Sequence, residues 1–278
     1  MKKERLDVLL VQKGLCATLD IAQRMILSGY VFVNQERMQH VGTKIKIDSS
    51  IELKLKNLKY VSRGGLKLEE ALRVFPVHME DRVMLDIGAS TGGFTDCALQ
   101  RGAKRVYSID VGYGQLAWKL RQDPRVIVME RTNFRYLKKE DLTGEPPNLA
   151  TIDVSFISLS LIFPKLRELL LPNGEVVSLV KPQFEAERHQ VGNRGIVRDK
   201  HIHQQVLERF VQIVQSNGFT AFQLAPSPIQ GNEGNIEFLA YCKFQYEKEQ
   251  IDLHIEEIVQ QAHERFSLKH SEEIDYGC

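Results

Sequence analysis

The chain reads as an α/β protein in which a mainly parallel sheet of seven strands is wound on both faces by helices and preceded by a small α+β module. Three observations predict this. From residue 82 onward, apolar strands and helical runs alternate, the signature of a doubly wound sheet. A glycine-rich turn joins the first of these strands to a helix at residues 88–93. The first 60 residues follow another pattern, two short helices and then short strands with alternating lysines. With 278 residues, 43% of them hydrophobic and 26% charged, the chain has the apolar material for a large core, which excludes disordered and collagen-like classes. No apolar run approaches the roughly 18–20 residues that span a bilayer, and no secretory leader is expected from Met1 to Asp7. Cys16, Cys97, Cys242 and Cys278 lie far apart without a CxxC pair, so a reducing cytoplasm is expected rather than a disulfide framework or zinc knuckle.

In the first module, Leu6, Leu9 and Leu10, then Ile21, Ala22, Met25 and Ile26, recur at helical spacing, and Ser28-Gly29 stops the second helix. Residues 30–34 form an apolar strand, 34–36 a turn, and 43–47 and 51–56 alternate polar with apolar as half-buried strands do. Residues 1–67 hold 13 Lys+Arg against 6 Asp+Glu, residues 68–244 hold 21 of each, and 245–278 hold 3 against 9. A basic module on a neutral body is the footprint of a nucleic-acid grip or, on charge alone, a merely solvated basic surface. The pattern Arg5-Leu6-Asp7-x-x-Leu10, Ala22-x-Arg24-x-x-Leu27, Gly29-x-Val31-x-Val33-Asn34 and Val41-Gly42 resembles the α-L RNA-binding module. Thr18-Leu19 stands where that module usually opens its second helix with Ser-Arg, which removes one phosphate contact. The resemblance implies salt-sensitive RNA contacts from Arg5, Arg24, Lys44, Lys46, Lys54 and Lys56, with Arg63 in the basic connector that follows.

A helical run follows the connector through Leu66, Leu68, Ala71, Leu72 and Phe75. Strands are then expected at 82–88, 105–110, 126–131, 149–155, 175–181, 219–224 and 235–244, with helices at 92–100, 159–170 and 201–216. No helix separates the last two strands, so they should pair antiparallel. The domains expected are 1–60, 61–245 and a terminal helix and tail, 246–278, in which Ile251, Ile255, Ile258 and Val259 recur at helical spacing.

The turn after the first core strand reads Asp86-Ile87-Gly88-Ala89-Ser90-Thr91-Gly92-Gly93. A dinucleotide fingerprint would have glycine where Ser90 stands, and Asp86 would repel pyrophosphate. The pattern favours S-adenosyl-L-methionine, with Asp86 near its amino group, Gly88, Ser90, Thr91, Gly92 and Gly93 allowing close approach, Asp110 at the ribose and Asn133 at the adenine. A turn serving only helix–strand packing is the alternative reading.

Further stretches carry a closer likeness: Val61-Ser62-Arg63-Gly64-Gly65-x-Lys67-Leu68, Asp153-Val154-Ser155-Phe156-Ile157-Ser158-Leu159, Leu179-Val180-Lys181-Pro182-Gln183-Phe184-Glu185 and Gly234-Asn235-Ile236-Glu237-Phe238. With the glycine turn they resemble the TlyA (haemolysin A) family of rRNA methyltransferases, whose Rossmann-like catalytic domain is FtsJ-like. The resemblance implies methylation of a ribose 2′-hydroxyl, in that family a cytidine of ribosomal RNA, and so binding to ribosomal subunits or their precursors. It also implies a Lys-Asp-Lys-Glu tetrad at Lys67, Asp153, Lys181 and Glu237, with Lys181 as base. The chemistry is consistent with this: a ribose hydroxyl must lose its proton as it attacks a sulfonium methyl, and a lysine serves only if partly neutral. His201 and His203, two apart on a helix, do not share a face, so no metal site is expected. The basic loop 192–198 is expected near the site edge, either as an RNA contact or as an ordinary surface loop. Rival readings are a membrane-lytic haemolysin, a non-catalytic RNA-binding protein and a dehydrogenase, the last disfavoured by Ser90.

Overall fold

A computed structural model describes residues 3–16, 18–27, 29–53, 59–231, 234–244 and 251–274. The N-terminal module consists of β1 (Lys3–Arg5), α1 (Leu6–Gln12), α2 (Leu19–Leu27), β2 (Val31–Val33), β3 (Glu36–Met38), β4 (Lys44–Lys46) and β5 (Ile51–Leu53). Its two helices bury Leu6, Leu9, Leu10, Ala22 and Ile26 against Val31, Val33 and Ile45, a core of its own. Thr18 Oγ1 accepts from Ile21 N at 3.2 Å and caps α2. The expected turn is a two-residue hairpin between β2 and β3, with Asn34 and Gln35 at φ 49° and 70°, the primed geometry that matches strand twist. The sequence reading misses β1, whose Lys3 and Arg5 stand opposite Lys46 and Lys44 of β4. Like charges facing across a ribbon are unfavourable unless an anion joins them.

The remaining elements are α3 (Gly64–Val74), β6 (Val83–Ile87), α4 (Gly93–Gln100), β7 (Arg105–Ile109), α5 (Trp118–Arg121), β8 (Val126–Met129), β9 (Leu149–Ile152), α6 (Phe163–Leu169), β10 (Glu175–Val180), α7 (Pro182–Glu185), α8 (Lys200–Ser216), β11 (Phe219–Pro226), β12 (Phe238–Phe244) and α9 (Ile255–Ile274). The helix expected over 159–170 is split: a 3-10 turn, Leu159–Leu161, precedes α6, and Pro164, which has no N–H to donate, sits in the first turn of α6. The sheet order is β11-β12-β10-β9-β6-β7-β8, with β12 antiparallel to both neighbours and the rest of the core parallel. Alternation along the strands sends Leu85, Ile87, Val176 and Val180 to one face, under α6, α8 and α9, and Met84, Val177 and Leu179 to the other, under α3, α4 and α5. Val259, Ala262 and Phe266 dock α9 on the body.

The chain runs from β6 outward through β7 and β8, then returns to β9 on the other side of β6. Ligand crevices form at such a reversal, at the carboxyl ends of the strands. Gly88 is required there. It has φ +88°, and a β-carbon on it would stand 2.6 Å from the carbonyl oxygen of Asp153 at the end of β9. Gly114, at φ +71°, has nothing within 4 Å of that position. Gly114→Ala should therefore cost only backbone strain, ~1–2 kcal/mol, whereas Gly88→Ala adds a displaced backbone and should cost roughly 3–4 kcal/mol. Urea unfolding of the two variants separates the cases, and equal losses would refute the close approach.

Candidate active site

Four charged side chains meet at the carboxyl edge of β9 and β10. Asp153 and Lys181 each follow directly on their strands, where the apolar ladder ends and a side chain can turn over the edge. Because β12 runs antiparallel, its beginning lies at this same edge. Val180 pairs with Phe238, which sets the preceding residue of β12, Glu237, beside Lys181. Lys67 reaches over from α3. The result is a row of alternating sign: Lys181 Nζ to Asp153 Oδ1 at 2.5 Å, Asp153 Oδ2 to Lys67 Nζ at 3.8 Å, and Lys67 Nζ to Glu237 Oε2 at 2.6 Å. All four are largely buried, which makes each pairing matter more than at a surface. Burial opposes the charge on Lys67, but Asp153 and Glu237 outweigh it and hold the ammonium above the usual lysine value. Burial likewise opposes the charge on Asp153, and Lys181 and Lys67 overcome it to hold that carboxyl below its usual range.

The four line a cleft of about 600 Å³ with the glycine turn, from Gly88 to Thr91, and with Gln183, Phe184, Arg194 and Gly195. Residues without a strong sequence signal complete it. Ser155 Oγ accepts from Lys181 Nζ at 3.1 Å, and Phe156 stands 91% exposed at the mouth with φ +63°. Its ring lies 5.0 Å from that of Phe184, centre to centre. Glu185 accepts from Ser158 Oγ and Leu159 N, each at 2.7 Å, tying the Asp153-to-Leu159 loop to α7. From the N-terminal module, Leu27, Gln39 and His40 reach the same cleft. Only the likeness of the flanking motifs pointed to these loops.

The candidate cofactor residues divide. Asp86 is fully buried yet borders the cleft, and its oxygens accept from Thr95 N at 3.0 Å, Thr95 Oγ1 at 2.6 Å and Thr151 Oγ1 at 3.0 Å. It braces the turn from beneath, because polar partners lie on that side. Gly93 is likewise required by the protein itself, since a β-carbon there would strike Ser62 Oγ at 2.4 Å and Gly65 N at 2.7 Å. A β-carbon on Gly92 would meet Leu120 and Leu116. Asp110 does reach the turn, accepting from Ser90 N at 2.8 Å and Gly112 N at 2.7 Å, so its carboxylate is fixed at the end of β7. Asn133 caps the turn at Phe134–Tyr136 by accepting from Arg135 N at 3.2 Å.

Of the RNA-contact candidates, Lys44 and Lys46 are exposed on β4, and Arg63 lines the cleft. Arg5 is committed to a two-pronged pair with Asp7, at 3.0 and 2.7 Å. Lys54, Lys56 and the side chain of Arg24 lie outside the described residues. Arg194 and Gly195 bring the 192–198 loop to the cleft. His203 is buried and bonds through Nδ1 to His263 of α9 at 2.9 Å, with His201 taking no part. Among the described residues no group of His, Cys, Asp and Glu could hold a metal ion, and no helix is long and apolar enough to cross a membrane.

A family model described as "FtsJ-like methyltransferase" matches residues 60–244, and an "S4 domain" model matches residues 4–51. The chain is 54% identical to the "Putative rRNA methyltransferase YqxC" of Bacillus subtilis, over 96% of this chain and 97% of that one. It is 37% identical to the "16S/23S rRNA (cytidine-2'-O)-methyltransferase TlyA" of Mycobacterium tuberculosis, over 89% and 92%. Among solved structures, a "Putative hemolysin from Streptococcus thermophilus" superposes with a TM-score of 0.78 at 51% identity, covering 98% of this chain and 99% of that one.

Burial pushes Asp86 up to about 6, against the pull of its Thr95 and Thr151 bonds, and Asp153 adds to the rise. The folded protein therefore keeps this proton to a higher pH than the unfolded chain does. Its ionisation costs stability as pH rises from about 4 through 6, to ~3 kcal/mol at neutral pH. Asp86→Asn cannot ionise, so relative to the parent its stability should improve between pH 4.5 and 7. Denaturant curves at the two pH values test this, and an unchanged difference would show that Asp86 does not titrate there.

Proposed function

The chain belongs to the FtsJ-like methyltransferase family, and from that premise we propose that it transfers a methyl group from S-adenosylmethionine to the 2′-hydroxyl of a cytidine ribose in ribosomal RNA. The observation that carries this reading is the row Lys181–Asp153–Lys67–Glu237 at the edge of the cleft. It sets a lysine beside a carboxylate and a hydroxyl in the cleft that the glycine turn also lines. The relatives named as rRNA methyltransferases, two of them for cytidine 2′-oxygens, support the substrate.

The residues fit this cofactor. Asp110, fixed by two N–H donors, offers a carboxylate edge to a vicinal diol, and the Gly88-to-Thr91 turn lines the cleft beside it. Asp153, with both its oxygens directed to lysines, keeps negative charge close to a sulfonium. When bound, the cofactor supplies a methyl group activated by the positive sulfur. Lys181, in its neutral form, takes the proton from the ribose 2′-oxygen. Asp153 and Ser155 hold its nitrogen toward the hydroxyl. Lys67, anchored by Glu237, adds a fixed positive charge that favours the loss of the proton and stabilises the developing alkoxide. Phe156 and Phe184 offer faces on which an unstacked base can lie, the usual means of reading single-stranded RNA.

The division at residue 60 assigns the basic ribbon of β1 and β4 to RNA binding and residues 61–245 to methyl transfer, with ribosomal subunits or their precursors in the cytoplasm as the site of action. The haemolysin name borne by some relatives is tested separately, by dye release from liposomes with the purified protein.

Lys181→Ala should abolish methyl transfer from tritiated cofactor to 30S and 50S subunits while cofactor affinity by calorimetry stays within about twofold, because the group acts in the chemical step. Lys181→Arg should fail as well, since a guanidinium keeps its proton. Single-turnover rates against pH decide between roles: an arginine enzyme with substantial activity would reduce Lys181 to a charge stabiliser. No transfer by the unaltered protein to either subunit would remove the reading as a whole.

A further inference from the structure

The two modules meet over Gly29, at the end of α2. Its φ is +74°, and a β-carbon there would lie 3.3 Å from Arg37 Cδ, 3.4 Å from Arg63 Cδ and 3.4 Å from Gln39 Nε2. Arg37 and Gln39 come from β3 and the residues just after it, and Arg63 from the connector before α3. The stems of two arginines and the amide of Gln39, from separate modules, thus pack around one point where a side chain is absent. Among the described residues neither arginine forms an ion pair. Arg63 reaches the carbonyl of Gln230 at 3.4 Å, and Arg37 lies over the ring of Phe32. Glu237, the acid whose charge acts on Arg63, is already bonded to Lys67 at 2.6 Å.

Such an arrangement is costly unless something compensates it. Burial, then the neighbouring charge of Arg37, pulls the Arg63 guanidinium down to about 10. A partly buried cation held beside a second one calls for an anion between them. Two guanidinium forks and an amide N–H match the oxygens of a phosphate group, the geometry for which arginine is better suited than lysine. Arg63 and Gln39 line the same cleft as Lys67, Asp153, Lys181 and Glu237. An anion at this junction therefore lies on the path of a strand whose ribose is at Lys181.

We infer that Arg37, Gln39 and Arg63 form a phosphodiester-binding site at the junction of the two modules, holding the RNA backbone beside the methylated nucleotide. The inference rests on the RNA-methylation reading and gives the N-terminal module a second task. Besides gripping RNA with its basic ribbon, it completes the substrate cleft.

The test uses the full chain and a fluorescein-labelled RNA hairpin with one unpaired cytidine, titrated over a range of salt. Arg37→Gln, an exposed change on β3 whose thermal melt should match the parent, should weaken RNA binding roughly tenfold and lower the log–log salt slope by about 0.7–0.9. Arg63→Gln should do the same. The double variant should lose less than the product of the single losses, since both arginines hold one phosphate. Unchanged affinity and slope for Arg37→Gln would overturn the proposal, and so would strictly multiplicative losses. A carboxylate of the cofactor is the competing anion, and calorimetry with S-adenosylmethionine separates it: a weaker cofactor affinity in Arg37→Gln refutes the phosphodiester assignment. Methyl transfer to ribosomal subunits by the unaltered protein is scored independently, so failure of the enzymatic reading is distinct from failure of this site.

Discussion

Asp153 stands between two lysine ammonium groups, and the rest of the site depends on that one carboxylate. Removing it would leave Lys181 and Lys67 as unscreened like charges in a largely buried setting, with only Glu237 to offset them. Its position is in turn fixed by topology. A carboxylate at the end of β9 can meet a lysine at the end of β10 because the two strands are parallel neighbours. Glu237 can reach the same edge only because β12 runs the other way. A wholly parallel sheet would carry the beginning of that strand to the opposite edge. The antiparallel insertion of β12 is thus what closes the charge row.

The glycine turn serves this edge as much as it serves a ligand. Gly88 lets the turn lie on the backbone of Asp153, and Gly93 lets α4 approach Ser62 and the start of α3, the helix that carries Lys67. Asp86 fastens the turn from below through Thr95 and Thr151, which belong to α4 and β9. Each contact ties the glycine turn or α4 to an element that carries a member of the tetrad or lies beside it. The positions of Asp153 and Lys67 therefore follow from close backbone packing, which is stiffer than any side-chain contact.

Much of this was legible in the sequence. The core strands were, because buried parallel strands are continuous apolar runs, and a lysine or aspartate at the end of such a run stands out. Strand β1 was not: Lys3-Glu4-Arg5 has charge on both faces and gains its conformation only from β4. Asp86 was legible as important, but its hydrogen-bond partners were not. Spacing gives the strand position of a carboxylate, while the bonds that fix it come from Thr95 and Thr151, one of them 65 residues away. The junction at Gly29 was invisible for the same reason, because Arg37 and Arg63 become neighbours only where the two modules meet.

The segment Lys181-Pro182-Gln183-Phe184-Glu185 shows how closely chemistry and support are joined in this fold. Lys181 ends β10, and Pro182, at the first position of α7, turns the chain without needing a donor. That single turn sends Phe184 toward Phe156 and Glu185 toward Ser158 and Leu159. Phe156 is held in a left-handed conformation that an aromatic residue adopts at a cost of order 1 kcal/mol or more, and such strain persists only where the surroundings over-determine it. The two bonds from Glu185 supply that determination. Burial, only partly offset by those bonds, raises the Glu185 carboxyl above its usual range, so the brace itself is held under some electrostatic cost. The loop so fixed carries Ser155 against Lys181 and Asp153 against both lysines. The exposed, strained ring and the buried acid are therefore two ends of one constraint, whose effect is to hold the lysine nitrogen still while the mouth of the cleft stays open to a nucleotide.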